Sequence, residues 1–177
     1  MKATATITVT TAIYSSHEDA LRDFDDTWSA RREGGCRHTA TAVLTRSAHG
    51  CLGVERSRST AKHLAWGGAL LGGALFLVAP AAGVGFLSSA GLNGAGVFIA
   101  HFHDHLRPEA VANSARLLEQ GPYAVFVVLV DDEVVDTTAL LPRARATSSM
   151  GLPWGELDEE LGWDQVSHPL GTVLVAN

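Results

Sequence analysis

The 37 positions from 64 to 100 contain no Asp, Glu, Lys or Arg and hold nine of the chain's 18 glycines. Pro80 divides this uncharged segment into an arm of 16 residues and an arm of 20 residues. This pattern predicts a helical hairpin. Gly68 and Gly72 lie four residues apart on the first arm, and small residues at this spacing let two helix backbones approach closely. We therefore expect the hairpin to act as an association device.

The leading environments for this hairpin are a membrane and a soluble oligomer, with a lone soluble monomer as a third alternative. A helix needs about 20 apolar residues to cross a hydrocarbon layer, and the first arm reaches only about 24 Å at 1.5 Å per residue. The second arm is long enough but contains the polar Asn93. Arg56, Arg58 and Lys62 would suit the cytoplasmic flank of a membrane hairpin. The alternative is a soluble oligomer in which hairpins from several subunits bury one another, because an exposed apolar hairpin would aggregate in water.

The residues on both sides of the hairpin alternate between strand and helix patterns. Period-two alternation or an unbroken apolar run predicts a strand, and recurrence at three or four residues predicts a helix. We expect strands over 4–13, 38–46, 51–55, 123–130 and 143–150. We expect helices from Ser16 to Gly34 and from Pro108 to Gly121, and a short helix within 131–141 that is capped by Asp131 or Asp132.

The predicted fold class is α+β, with a ferredoxin-like antiparallel sheet interrupted by the glycine-rich hairpin. Its parts are the first half of the body (1–62), the hairpin (63–100), the second half of the body (101–150) and a C-terminal arm (151–177). This arm holds five acidic residues, no Lys or Arg, and the tryptophans Trp154 and Trp163. Disordered tails are usually poor in aromatic residues, so we expect the arm to dock on its own body or on a neighbour.

Charge and targeting signals exclude several classes of protein. The net charge of −6, from 13 basic and 19 acidic residues, argues against a nucleic-acid partner. Cys36 and Cys51 lack CxxC spacing and suit a reducing compartment. The N-terminus has no continuous apolar stretch of the signal-peptide type. We expect a cytoplasmic protein or one at the cytoplasmic membrane.

His101, His103 and His105 form the densest group of potential metal ligands. On a helix, His101 and His105 share a face, and in an antiparallel hairpin His63 would lie close to them. Zinc, copper or nickel could use such a group. The alternative is a polar transition where the apolar hairpin meets solvent. The sequence contains no nucleotide-binding or catalytic motif, and no catalytic residue or cofactor is predicted.

The order of predicted elements resembles a bacterial family catalogued as domain-of-unknown-function family 1269. The residues that carry the resemblance are the strand end Ile13–Tyr14, the Ala/Gly-rich hairpin at 64–100 and the segment Gly121–Phe126. The resemblance covers residues 5–150 and implies a ferredoxin-like body with an inserted hairpin. It brings no catalytic residues and does not extend to the C-terminal arm.

The sequence therefore predicts a non-enzymatic, self-assembling structural protein that associates with itself or with membrane lipid. The resemblance implies a link to stress. Its predicted oligomerisation residues are Gly68, Gly72, Gly73, Gly85, Trp154 and Trp163. Replacing Gly72 by Leu is expected to dissociate the assembly and leave the body folded. One alternative is a metal-binding or redox-linked protein that uses residues 101–105. A second is a membrane transport or channel component in which Asn93 lines the path.

Overall fold

A computed structural model describes residues 5–34, 38–59, 64–90, 95–131 and 136–154. Within these ranges the chain is an α+β protein with one five-stranded antiparallel sheet, five α-helices and one 3₁₀ helix. The strands are β1 (Thr6–Tyr14), β2 (His38–Arg46), β3 (Leu52–Ser59), β4 (Tyr123–Asp131) and β5 (Ala146–Pro153). The helices are α1 (His17–Gly34), α2 (Leu64–Val78), α3 (Pro80–Ala90), α4 (Ala95–His105), α5 (Pro108–Glu119) and the 3₁₀ helix (Thr137–Leu140).

The strands lie in the order β3-β2-β4-β1-β5, and every neighbouring pair is antiparallel. β1 and β2 therefore run in the same direction, with β4 between them. β4 pairs with β1 over nine residues, from Thr6 opposite Asp131 to Tyr14 opposite Tyr123. Its unbroken apolar sequence suits this central position, because both of its faces are buried.

One face of the sheet, which we call the helical face, is covered by α2, α4 and α5. Helix α2 packs on β2 and β4, α5 packs on β1 and β5, and α4 packs against α2. Alternate residues of each strand point to this face and join one core with the helices. Its fully buried large side chains include Ile7, Leu44, Leu75, Phe102 and Phe126.

The opposite face, which we call the α1 face, is covered by α1 and the 3₁₀ helix. Phe24 of α1 is fully buried against Val43, Val125 and Val127 of the sheet. This second core is smaller than the first. The sheet is therefore the middle layer of three, with unequal helical layers on its two sides.

The predicted two-helix hairpin is not confirmed, because its second arm consists of two helices. The first arm forms α2 as expected, whereas the second arm contains α3 and α4, and both of these helices pack on α2. Residues 91–94, which separate α3 from α4, lie outside the described ranges and include Gly91 and Gly94, which are weak helix formers. Helix α4 also continues to His105, beyond the predicted boundary at residue 100.

Three smaller predictions need correction. β3 continues to Ser59, so Arg56 and Arg58 belong to a strand rather than to a flank of the hairpin. Asp136 caps the short helix in place of Asp131 or Asp132, because its Oδ1 accepts a hydrogen bond from the N–H of Thr138 at 3.0 Å. The last strand begins three residues later than expected and extends to Pro153.

The described helices also bear on the question of a membrane. In the parts of the chain that the structure covers, no helix has both the length and the hydropathy required to span a bilayer.

Candidate interaction surfaces

Two of the predicted association glycines form close contacts inside the chain. A Cβ atom added at Gly72 would lie 2.8 Å from Cγ of Leu87 in α3. One added at Gly73 would lie 2.9 Å from Cβ of Phe98 in α4. These two glycines therefore let α3 and α4 approach α2 within one protomer. The Gly72→Leu substitution would disturb this internal packing, so the expectation that it leaves the body folded needs correction.

The two glycines of α3 differ in the space around them. A Cβ at Gly83 would lie 2.5 Å from the backbone nitrogen of Phe76 in α2, whereas one at Gly85 would meet no atom within 4 Å. Gly85 is exposed, and Gly68 on α2 is half-buried. Of the predicted set, Gly85 has the most open surroundings and remains available to an outside partner.

The outer side of α3 is uncharged and faces solvent. Val84 leaves half of its surface exposed, and Ala81, Gly85 and Ser88 are exposed beside it. Single apolar side chains on a surface are common. Here, however, the exposed valine lies on a helix with no charged residue, within a segment of 37 positions that also has none.

A groove of about 430 Å³ lies between α3 and the edge strand β3. Its apolar lining comes from both elements, and two charged residues of β3, Glu55 and Arg56, also border it. The main lining residues are Leu52, Val54, Glu55, Arg56, Ala82 and Phe86. The exposed side of α3 therefore adjoins a partly apolar groove.

Trp154 docks on the body of its own chain. It is 4% exposed and belongs to the core of the helical face. Its backbone N–H donates to the carbonyl oxygen of Ala5 at 2.8 Å. At Trp154, the C-terminal arm therefore docks on its own body. Trp154 is a core residue rather than a contact with a neighbour. Trp163 lies outside the described residues.

His101 and His105 lie side by side on one face of α4, as expected, and His103 lies apart from them. His101 is buried and donates from Nε2 to the carbonyl oxygen of Pro153 at 2.9 Å. The His105 ring stacks on the His101 ring with a centroid separation of 4.3 Å and donates from Nδ1 to the His101 carbonyl. His103 is exposed beside Asp104.

Across the described ranges, no three His, Cys, Asp or Glu side chains meet in an arrangement that could hold a metal ion. The possible ligand His63 and the proposed path residue Asn93 lie outside those ranges. The metal-site and transport hypotheses stay predictions.

A buried carboxylate on the α1 face accepts three hydrogen bonds. Asp23 is fully buried in α1. Its Oδ2 accepts hydrogen bonds from the Tyr14 hydroxyl at 2.9 Å and from the backbone N–H of Arg143 at 3.0 Å. Its Oδ1 accepts from Nη1 of Arg143 at 2.5 Å, and the same nitrogen reaches Asp26 at 2.7 Å. The network joins β1, α1 and the segment that leads into β5.

Burial raises the pKa of the Tyr14 hydroxyl far above its ordinary value, and the neighbouring Asp23 carboxylate raises it further. Hydrogen bonds to Asp26 and Asp23 raise the pKa of Arg143. The network therefore holds a neutral tyrosine and a charged arginine around a buried carboxylate. We interpret it as a structural lock, because its hydrogen bonds connect three elements of the fold.

Sequence reasoning did not identify this network. Asp23 and Arg143 are separated by 120 residues, and no local pattern connects them. One signal was present: Asp23 lies on the same side of α1 as Ala20, Phe24 and Thr27, which all face the sheet. An acid on the buried side of a helix requires a partner.

Comparisons with protein-family models, with curated proteins and with solved structures gave no match for this chain. The resemblance to domain-of-unknown-function family 1269 therefore stays a prediction.

Proposed function

We propose that this protein is a non-enzymatic structural protein that associates with itself through the outer side of α3. The observation that carries the proposal is the half-exposed Val84 on an uncharged helix, next to the groove between α3 and β3. Apolar surface of this kind gains free energy when a second apolar surface covers it. A second copy of the chain would offer the same surface, which is the usual form of a twofold interface.

The structure gives this proposal a different basis from the one the sequence suggested. Gly72 and Gly73 already contact α3 and α4 within one protomer. Close approach of two protomers at these glycines is therefore not the proposed mechanism of association. Gly85 keeps its proposed role, because it is exposed next to Val84 and adds no side chain that would keep a neighbour away. In this proposal, association depends on the surface of α3 rather than on the face of α2.

A ferredoxin-like body is part of the same proposal. It is supported by the position of β4 between the parallel strands β1 and β2, and by β5 next to β1. The helices α2, α4 and α5 lie on the face opposite α1, and β3 extends the sheet beyond β2. We propose that these helices were added to such a body and supply the association surface.

The experiment is sedimentation of the full chain without detergent, compared with the variant Val84→Lys. Fully burying an exposed valine contributes about 1.5–3 kcal/mol, so covering the exposed half of Val84 in both copies of a twofold contact contributes about the same amount. A difference of about 1.4 kcal/mol corresponds to a tenfold change in affinity. On dilution, we therefore expect the variant to dissociate at a protein concentration at least tenfold higher than that at which the wild type dissociates.

The matched control is Ala139→Lys, which places the same charge at an exposed position on the α1 face. This control should sediment like the wild type. Equal masses for the wild type and Val84→Lys would contradict a contact through α3.

A further inference from the structure

Strand β5 forms one outer edge of the sheet and is unusually regular for an edge strand. It pairs with β1 over eight consecutive positions, from Thr6 opposite Pro153 to Ile13 opposite Ala146, without a change of register. No residue of β5 is charged. Long, flat, uncharged edges are the ones that pair with other strands.

The hydrogen-bond pattern shows which backbone groups face outward. Trp154 and Ala5 form a hydrogen-bonded pair, because the N–H of Trp154 donates to the carbonyl of Ala5. Hydrogen-bonded and non-bonded pairs alternate along an antiparallel ladder. Thr147, Ser149 and Gly151 therefore direct their N–H and C=O groups away from β1, toward the outer edge.

The other outer edge carries the usual protection against such pairing. β3 contains a register shift opposite Val43 and Leu44, which is typical of a β-bulge. It also carries Glu55, Arg56 and Arg58. Bulges, charges and prolines are among the devices that keep an edge strand from pairing. The described part of β5 has no bulge and no charge, and its one proline, Pro153, is its last residue. The edge of β5 is therefore the less protected of the two.

We propose that β5 pairs antiparallel with β5 of a second copy of this chain, so that two sheets join into one of ten strands. The inference rests on the proposed self-association and names a second contact for it, on the sheet edge opposite the one next to α3. A register centred on Ser149 uses all three outward N–H groups. In this register Thr147 lies opposite the partner's Gly151, and Ser149 lies opposite the partner's Ser149.

The charges on α5 favour a second copy as the occupant. Helix α5 lies over β1 and β5, and its Ser114 hydroxyl donates to the Ser148 hydroxyl at 3.1 Å. Val111 and Ala115 pack toward the core. At 100° per residue, the exposed Glu109 and Arg116 lie on the opposite side of the helix, away from that core.

A twofold axis through the paired β5 strands places the two α5 helices antiparallel and side by side. Glu109 of each copy then lies near the partner's Arg116. Opposite charges are brought together twice across the axis, and this contact is complementary only to another copy of the same helix. The edge strand and the helix above it thus point to one partner.

The test uses charge exchange at two exposed positions of β5. Thr147→Lys with Gly151→Lys puts lysines opposite lysines in the proposed pair, and like charges directly opposite destabilise pairing. Thr147→Glu with Gly151→Glu does the same with glutamates. Each double variant is expected to lose the β5 contact and sediment at a lower mass than the wild type. An equimolar mixture of the two should restore the contact.

The matched control is Ala48→Lys with His49→Lys in the turn between β2 and β3, which adds two lysines at exposed positions outside the groove next to α3. This control should sediment like the wild type. Retention of the wild-type mass by both β5 variants, or no association on mixing them, would overturn the β5 contact while leaving self-association intact. A wild type that is monomeric throughout would overturn both proposals.

Hydrogen exchange gives a second readout at the level of single amides. In the wild type, the amide hydrogens of Thr147, Ser149 and Gly151 should exchange slowly at high protein concentration and faster on dilution. In the double-lysine variant they should exchange fast at every concentration. Fast exchange in the associated wild type would assign the contact to another surface.

Discussion

On the α1 face of the sheet, the buried carboxylate of Asp23 binds Tyr14 and Arg143, whereas on the helical face α2 and α3 meet without any charged group. There, the backbone of Phe76 lies against Gly83, where even a methyl group would not fit. The α1 face also has a cluster of hydroxyls, in which Thr10 contacts Thr137 and Ser149. Both layers bury apolar side chains, and in addition polar contacts fix the α1 layer while close approach of helix backbones fixes the other.

This difference shows how one sheet supports two layers of unequal composition. Helix α1 is rich in charged residues, so a specific buried network fixes its position on the sheet. The segment from 64 to 100 has no charged residue. Its helices are therefore positioned by the packing of apolar side chains and by close backbone contacts. The layer without charges is also the one that exposes Val84, which links its composition to the proposed association.

The largest effect should come from removing the charge at the centre of the α1 face. Asp23→Ala leaves the Tyr14 hydroxyl and the backbone N–H of Arg143 without this acceptor, and it leaves Nη1 of Arg143 with Asp26 alone. Removing one partner of a buried ion pair costs about 3–5 kcal/mol. Because Arg143 is partly exposed, we expect the free energy of unfolding to fall by about 3 kcal/mol. Urea unfolding followed by circular dichroism measures it.

The control for this variant is Asp26→Ala, which removes an exposed carboxylate from the same Arg143 nitrogen. Exposed ion pairs contribute up to about 1 kcal/mol, so the control should lose less than that. Equal losses for the two variants would mean that burial of Asp23 does not determine its contribution.

The next effect should come from the helical face. Gly83→Ala places a methyl group against the backbone of Phe76, which cannot move as a flexible side chain can. Overpacking of a core costs about 1–3 kcal/mol, and we expect a loss of about 2 kcal/mol in urea unfolding.

Gly85→Ala, two residues further along the same helix, meets open space. Alanine favours a helix over glycine by about 1 kcal/mol, so this control should be neutral or slightly stabilising. A loss of stability in Gly85→Ala equal to that in Gly83→Ala would contradict the role of close backbone approach.

A smaller effect, which depends on pH, should follow from Tyr14→Phe. The substitution removes one of the hydrogen bonds to Asp23 and should cost about 1.5 kcal/mol at neutral pH. The pKa of Tyr14 is raised in the folded state, so its contribution is fully present below the unfolded pKa of about 10. It is lost as the pH rises above that value, by up to about 1.4 kcal/mol per pH unit.

Unfolding free energies at pH 8 and pH 11 measure this dependence. The wild type should lose more stability between the two than Tyr14→Phe does. Parallel losses in both proteins would show that Tyr14 does not couple folding to pH.

The sequence predicted most elements of the fold because their signals are local. Alternating β-branched residues indicated β1, and the unbroken apolar run at 123–130 indicated the central strand β4. The division of the second arm into α3 and α4 was missed because apolar composition alone does not show where a helix stops. The internal role of Gly72 and Gly73 was missed for a related reason: small residues favour close approach, but they do not specify which helix approaches.

The contacts that join distant parts of the chain could not be predicted from periodicity. The bonds from Arg143 to Asp23 depend on the order of strands in the sheet, which places β5 next to β1. The contrast between the two edges has the same origin. The charges of β3 and the uncharged sequence of β5 are visible in the sequence, but only the strand order shows that both strands are edges.

The most direct test of the proposed function is the native mass of the full wild-type chain, measured without detergent by sedimentation equilibrium over a hundredfold range of concentration. The chain has a mass of 18.6 kDa. Self-association predicts a discrete mass that is a multiple of this value and that falls toward it on dilution. A mass of 18.6 kDa at every concentration would contradict it.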